Sequence, residues 1–212
     1  MNLTLPHHDP AFVRNRHAAA QADFCNFERG GRRMGLNCGQ YSMIDLIRVA
    51  LELTGPAEVV VATWSSGIRD GESAAWFLET GAITRMTWIV DSSFVSRQPE
   101  YVDRLRRRFG DDCVFATLIH AKFALVRGNG WSLAFRSSMN LNRNERFELW
   151  EVDDSETISN WLGEWVDQMM GGRLGWAKGK AESRREWKGI DLGDGPDTQP
   201  DRPTVGLSQW VD

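Results

Sequence analysis

Between Ser42 and Leu118 the chain alternates helix-like and strand-like runs joined by short connections. That rhythm restricts it to α/β folds in which neighbouring strands run parallel. Ser42 stands as an N-cap with Asp45 three residues on, and Ile44, Ile47 and Leu51 mark one apolar face before Gly55, so a helix is expected over 42–54. The β-rich run 57–64 (AEVVVATW) follows, then a helical stretch 71–79 and a second strand over 83–91 (ITRMTWIVD). Pro99 opens a helix over 99–109 that Gly110 closes, and 113–118 reads as a further strand.

Three closely spaced strands are expected next, around 120–128, 131–138 and 146–153. Gly128-Asn129-Gly130 forms the tight turn between the first two, and the polar stretch 140–145 is the loop between the last two. A helix over 155–170, capped by Asp154 or Ser155, follows from Ile158, Trp161, Leu162, Trp165, Val166, Met169 and Met170 recurring at helical spacing. Before this region, 9–23 offers a short helix and ERGGRR reads as the approach to a loop. The expected division is an N-terminal segment 1–41, a domain 42–176 and a tail 177–212. The tail has the Gly, Lys, Asp and Pro content of a disordered segment. Within it Val205, Leu207, Trp210 and Val211 read either as a peptide that docks on a partner or as a loosely packed terminus.

A chain of 212 residues, 42% hydrophobic and 25% charged, suits one soluble domain with a sizeable core. The formal charge of −4 does not advertise a nucleic-acid binder, so any such contact must come from local arginines. Cys25, Cys38 and Cys113 form neither an even set nor a metal-ligand pair and are read as buried free thiols. With no leader pattern and no run of apolar residues near the length a membrane span needs, the expected location is the cytoplasm, with no membrane association.

The segment 118–152 carries the chemistry. His120 and Lys122 are two apart, so on a strand both side chains leave the same face; Ser138 and Asn140 repeat that spacing, and Glu148 alternates with Phe147 and Leu149. Three neighbouring strands would offer an imidazole, an ammonium, a hydroxyl, an amide and a carboxylate to one spot, which points to phosphodiester chemistry. A lone His-x-Lys is commonly a surface pair, but ordered Ser-x-Asn and Glu partners on successive strands argue against coincidence. Arg143 and Arg146 flank the loop leaving the Ser138 strand and are read as nucleic-acid contacts. Arg104, Arg106, Arg107 and Arg108 read as a solvated helix face, and Trp161 with Trp165 as core or dimer contact. His7, His8 and His17 receive no catalytic role.

In its order, this set resembles the phospholipase D superfamily, whose signature is H-x-K-x4-D, then a strand with G-S-x-N, then a carboxylate near the start of the next strand. The matching positions are His120, Lys122, Ser138, Asn140 and Glu148, while Arg127 stands at the position of the Asp and Ser137 at that of the Gly. The resemblance implies an α/β domain with a mixed sheet flanked by helices on both faces. It also implies a metal-independent phosphodiesterase without cofactor, in which His120 forms a phosphohistidine. Lys122 would neutralise the non-bridging oxygens, Ser138 and Asn140 would donate to them, and Glu148 would accept from the far nitrogen of His120. With one motif per chain, the resemblance points to the single-motif endonucleases, in which a two-fold homodimer brings two motifs to one site on DNA. A catalytically weak nucleic-acid binder and a lipid phosphodiesterase remain alternatives. Residue 127 lies an odd number of positions from His120, so in an unbroken strand it faces away, and its role is structural.

Overall fold

The computed structural model describes residues 10–171. Its centre is a seven-stranded mixed sheet ordered β1-β7-β6-β5-β2-β3-β4. The strands are β1 (Arg32–Cys38), β2 (Ala57–Thr63), β3 (Ile83–Asp91), β4 (Val114–Thr117), β5 (Phe123–Gly128), β6 (Trp131–Ser137) and β7 (Phe147–Asp154). β2, β3 and β4 pair in parallel, joined by the helical crossovers that parallel strands require, while β5, β6, β7 and β1 add antiparallel neighbours on the other side of β2. The fold is therefore α/β, with a mixed sheet and helices on both faces.

The helices are α1 (Pro10–Phe24), α2 (Met43–Thr54), α3 (Ile68–Glu79), α4 (Ser92–Arg97), α5 (Pro99–Phe109) and α6 (Glu156–Met170). α2 starts where the Ser42 cap predicts, with the Asp45 carboxylate accepting from the Ser42 backbone N–H at 2.7 Å. One sheet face, carrying Val59, Val61, Trp88, Val126, Phe135 and Trp150, packs against Phe24, Ile47, Phe77 and Leu105 of the helices on that side. The other face, with Ala62, Ile89, Leu125 and Ala134, is covered by Leu162 and Val166 of α6.

Several expectations are corrected here. The ERGGRR stretch leads into strand β1 rather than a loop, because Arg32–Cys38 pairs along the whole of β7. β1 thus belongs to the same sheet and α1 to the same core: Phe24 is buried against Phe135 and Trp150. The three cysteines are free, but Cys25 and Cys38 are exposed and Cys113 is only partly covered. Trp161 and Trp165 are not core; they are 56% and 43% exposed and meet edge to face on the outer side of α6, since its inward stripe is Leu162 and Val166. The arginines of α5 do form a solvated face, with Arg106 near Asp103 and Arg108 paired to Glu79. His17 contacts Glu52. His7, His8 and the segment 177–212, including its Trp210 peptide, lie outside the described residues, in which no helix is long and apolar enough to cross a membrane.

Candidate active site

The strand directions gather the candidate residues before any side chain is considered. β1, β2, β3, β4 and β6 all end at one edge of the sheet, and β5 and β7 begin there. His120 and Lys122 precede β5, Ser138 and Asn140 follow β6, Arg143 and Arg146 precede β7, and Glu148 is its second residue. In open α/β sheets the crevice beyond the carboxyl ends of the parallel strands, where strand order reverses, is where ligands bind. That reversal is at β2, which has β3 on one side and β5 on the other.

His120 and Lys122 are not on a strand, contrary to expectation. The chain must leave the edge strand β4, pass β3 and β2, and re-enter on the far side of β2, so 118–122 is a crossover that cannot join the ladder. The two side chains still converge: Lys122 Nζ lies 3.1 and 3.2 Å from the ring nitrogens of His120 and donates to the His120 carbonyl at 2.6 Å. An ammonium has no lone pair, so its ring contact is a hydrogen bond only to a nitrogen that carries one. His120 is exposed and Lys122 half-buried. Burial holds the Lys122 ammonium below the usual lysine range, and the Glu148 carboxylate partly offsets that.

The crossover is anchored by a residue that the sequence pattern does not single out. Asp91, buried at the end of β3, accepts from the Ile119 N–H at 3.0 Å and caps α4 through the Ser93 N–H at 2.9 Å. The only signal in the sequence is an Asp followed by two serines after a strand, which marks a helix cap. The loop after β6 is clamped to the end of β2: the Leu141 N–H donates to Ser65 O at 3.2 Å and to Thr63 Oγ1 at 3.1 Å, and Gly67 N–H to Leu141 O at 2.7 Å. Ser137, in place of the resemblance's Gly, turns the chain here by donating to Leu149 O at 2.7 Å and accepting from the Met139 N–H at 2.9 Å.

Asn140, half-buried on that clamped loop, has its Oδ1 buried with no partner, and no hydrogen bond engages its amide among the described residues. Ser138 and Glu148 are joined to each other instead. The hydroxyl donates to the carboxylate and accepts from the Leu149 N–H at 3.0 Å, while Asn144 Nδ2 donates to Glu148 at 3.3 Å. Glu148 therefore does not accept from His120, as the sequence reading expected. β7 begins one strand beyond β6, and the nearest hydroxyl and amide claim its oxygens. Arg143 is tied down, donating to Gly39 O at 2.9 Å and meeting Glu145, whereas Arg146 is exposed with no ion pair among the described residues.

Arg127 shares the face of Leu125 and points away from this edge. Its Nε donates to Ser159 Oγ at 2.8 Å and its Nη2 to the Ser159 carbonyl on α6. A Cβ on Gly163 would lie 2.6 Å from that guanidinium, so glycine there lets Arg127 keep this position against the helix. No three His, Cys, Asp or Glu groups among the described residues cluster as a metal site would need.

No family model matches the chain, and a search of curated proteins returns no match. Among solved structures it is similar to a polyphosphate kinase from Porphyromonas gingivalis at 15% identity and a TM-score of 0.49, covering 66% of this chain and 26% of that one. It is also similar to Nuc, a phospholipase D family member from Salmonella typhimurium, at 10% identity and 0.47, covering 65% and 92%. NucT from Helicobacter pylori aligns at 11% identity and 0.45, covering 66% and 97%.

Proposed function

We propose that this protein is a phosphodiesterase that cleaves DNA through a phosphohistidine on His120. The observation that carries the reading is the convergence at one sheet edge of an exposed imidazole, an ammonium at 3.1 Å from it, and an asparagine whose donor Nδ2 makes no hydrogen bond among the described residues. A phosphodiester resists attack because its anionic oxygens repel the nucleophile and its leaving alkoxide is poor. Lys122 and Asn140 address the first difficulty by neutralising and hydrogen-bonding the non-bridging oxygens in a prearranged cradle.

His120 addresses the second by dividing the displacement. A lone-pair nitrogen attacks phosphorus, a P–N bond forms, one ester P–O bond breaks, and the departing oxygen takes a proton. Water then attacks the phosphohistidine, the P–N bond breaks, and the water's proton returns to the acid of the first step. One chain supplies one such motif, so the proton donor is the His120 of a second copy across a two-fold axis. Glu148 acts on this centre at one remove: it holds Ser138 and keeps Lys122 charged against the effect of burial.

A second reading, binding of nucleic acid without cleavage, draws on one observation: no carboxylate is hydrogen-bonded to the His120 ring among the described residues. The two readings part in a cleavage assay on purified protein in EDTA. Cleavage that His120→Ala and Lys122→Ala each abolish is the expected result. DNA binding without cleavage under any buffer condition selects the second reading, and cleavage only with added divalent metal overturns the mechanism. Light scattering is expected to give a dimer at micromolar concentration; a strict monomer with and without DNA removes the proposed proton donor.

A further inference from the structure

Beside the catalytic edge lies an arginine that the phosphodiester mechanism does not use. Arg97, the last residue of α4, is exposed, with its guanidinium carbon 4.3 Å from the centroid of the Trp64 ring. Trp64 follows β2, and its ring is 6.1 Å from that of His120. Arg97 Nε donates to Ser93 O at 3.1 Å, which fixes the guanidinium from a second side. Among the described residues Arg97 has no carboxylate partner, and neither Nη group is engaged. A guanidinium stacked on an indole and tethered through Nε loses much of the rotamer freedom that a surface arginine keeps, and its two Nη groups remain free for a bidentate anion.

We infer that Arg97, carried by Trp64, is a second phosphate subsite, which takes a phosphate of the same nucleic-acid strand next to or near the one at His120. The inference rests on the proposed phosphodiesterase reading and adds to it a residue that selects a strand over an isolated diester. A strand of DNA repeats its phosphates every ~3.4 Å of axial rise when stacked, and at longer spacing when extended. Trp64 meets both groups, its ring centroid 4.3 Å from the guanidinium carbon and 6.1 Å from the imidazole centroid, so one indole links the two and a single extended strand can reach both. An isolated diester, such as a lipid headgroup or a small synthetic ester, has no second phosphate to place there. Arg97 thus favours a polyanionic strand over a single diester without touching the reacting phosphorus.

The test compares wild type with Arg97→Ala, Arg97→Lys and Trp64→Ala on a single-stranded oligonucleotide and on bis(p-nitrophenyl) phosphate. For the oligonucleotide, Arg97→Ala is expected to raise KM about tenfold with kcat within twofold, and to lower the slope of log Kd against log salt by about one phosphate contact. Arg97→Lys restores part of the effect, and in salt slope Trp64→Ala falls between it and Arg97→Ala. The small diester is expected to be hydrolysed equally by wild type, Arg97→Ala and Arg97→Lys; Trp64→Ala, whose indole also meets the His120 ring, is read only through the oligonucleotide salt slope. Equal losses on both substrates, or an unchanged oligonucleotide KM and salt slope, overturn the subsite. If the wild type cleaves neither substrate, the phosphodiesterase reading fails, and oligonucleotide binding by fluorescence anisotropy judges the subsite separately. A slope reduced in Arg97→Ala then supports it, and an equal slope or no binding overturns it.

Discussion

Arg127→Asp installs the aspartate that the sequence resemblance places at this position, and the structure predicts loss of stability rather than gain of activity. The guanidinium bridges β5 and α6 with two hydrogen bonds to Ser159, whose side chain is fully buried. An aspartate is several atoms too short to cross that gap, so the Ser159 hydroxyl and carbonyl lose their partner and a carboxylate is left facing them. Hydrogen bonds to a charged donor contribute about 1.5–3 kcal/mol each, so losing both costs roughly 3–6 kcal/mol. For a chain of this size, that lowers Tm by roughly 10 °C. Differential scanning fluorimetry reads the shift. The oligonucleotide assay, corrected to folded protein, is expected to show a smaller change in rate than Glu148→Gln causes. An unchanged Tm together with newly acquired or much faster cleavage would refute the reasoning, because residue 127 would then belong to the catalytic site.

Glu148→Gln removes the charge that offsets the burial of Lys122, so the lysine deprotonates at lower pH and the alkaline limb of the pH–rate profile moves toward acid; an unmoved limb contradicts the electrostatic role. Asp70, buried beside Arg16 and Ser42, has its carboxyl pushed up by burial to about 7, despite the Arg16 charge, from an ordinary value near 3.8. Its folded form therefore holds its proton more tightly than the unfolded chain does. That contribution to stability is complete below about pH 4 and is lost as pH rises through 7. Asp70→Asn is accordingly expected to gain Tm relative to wild type between pH 5 and pH 8, and a pH-independent difference contradicts the assignment. Gly35→Val puts a Cβ 2.7 Å from the Trp150 ring and is expected to destabilise the β1–β7 pairing by about 1–3 kcal/mol in urea unfolding.

The parts of the fold that were legible in the sequence are those set by local patterns. The Ser42 cap, the alternation through β2 and β3, the Pro99 start of α5 and the apolar stripe of α6 each depend on residues a few positions apart. β1 was not legible, because Arg32–Cys38 is an edge strand with Met34 and Leu36 turned outward, so its pattern does not resemble a half-buried strand. α4 is only six residues long, too short for a periodic signal. The same distinction applies at the site. Residue type and order suffice to single out His120, Lys122 and Asn140, yet the setting of His120 and Lys122 on a loop rather than a strand depends on the crossover from β4 to β5, which is a property of sheet order. Asp91, Trp64 and Arg97 reach the site only through tertiary packing, as does the choice of Ser138 rather than His120 as the partner of Glu148.

The most direct test of the central claim is to look for the covalent intermediate. Protein mixed with oligonucleotide in single turnover, quenched under alkaline conditions that preserve phosphoramidates and digested for mass spectrometry, is expected to carry a nucleotidyl adduct on the His120 peptide that forms and decays as product appears. His120→Ala is expected to show neither adduct nor product. Cleavage by His120→Ala at the wild-type rate, or an adduct on any other residue, would contradict the account.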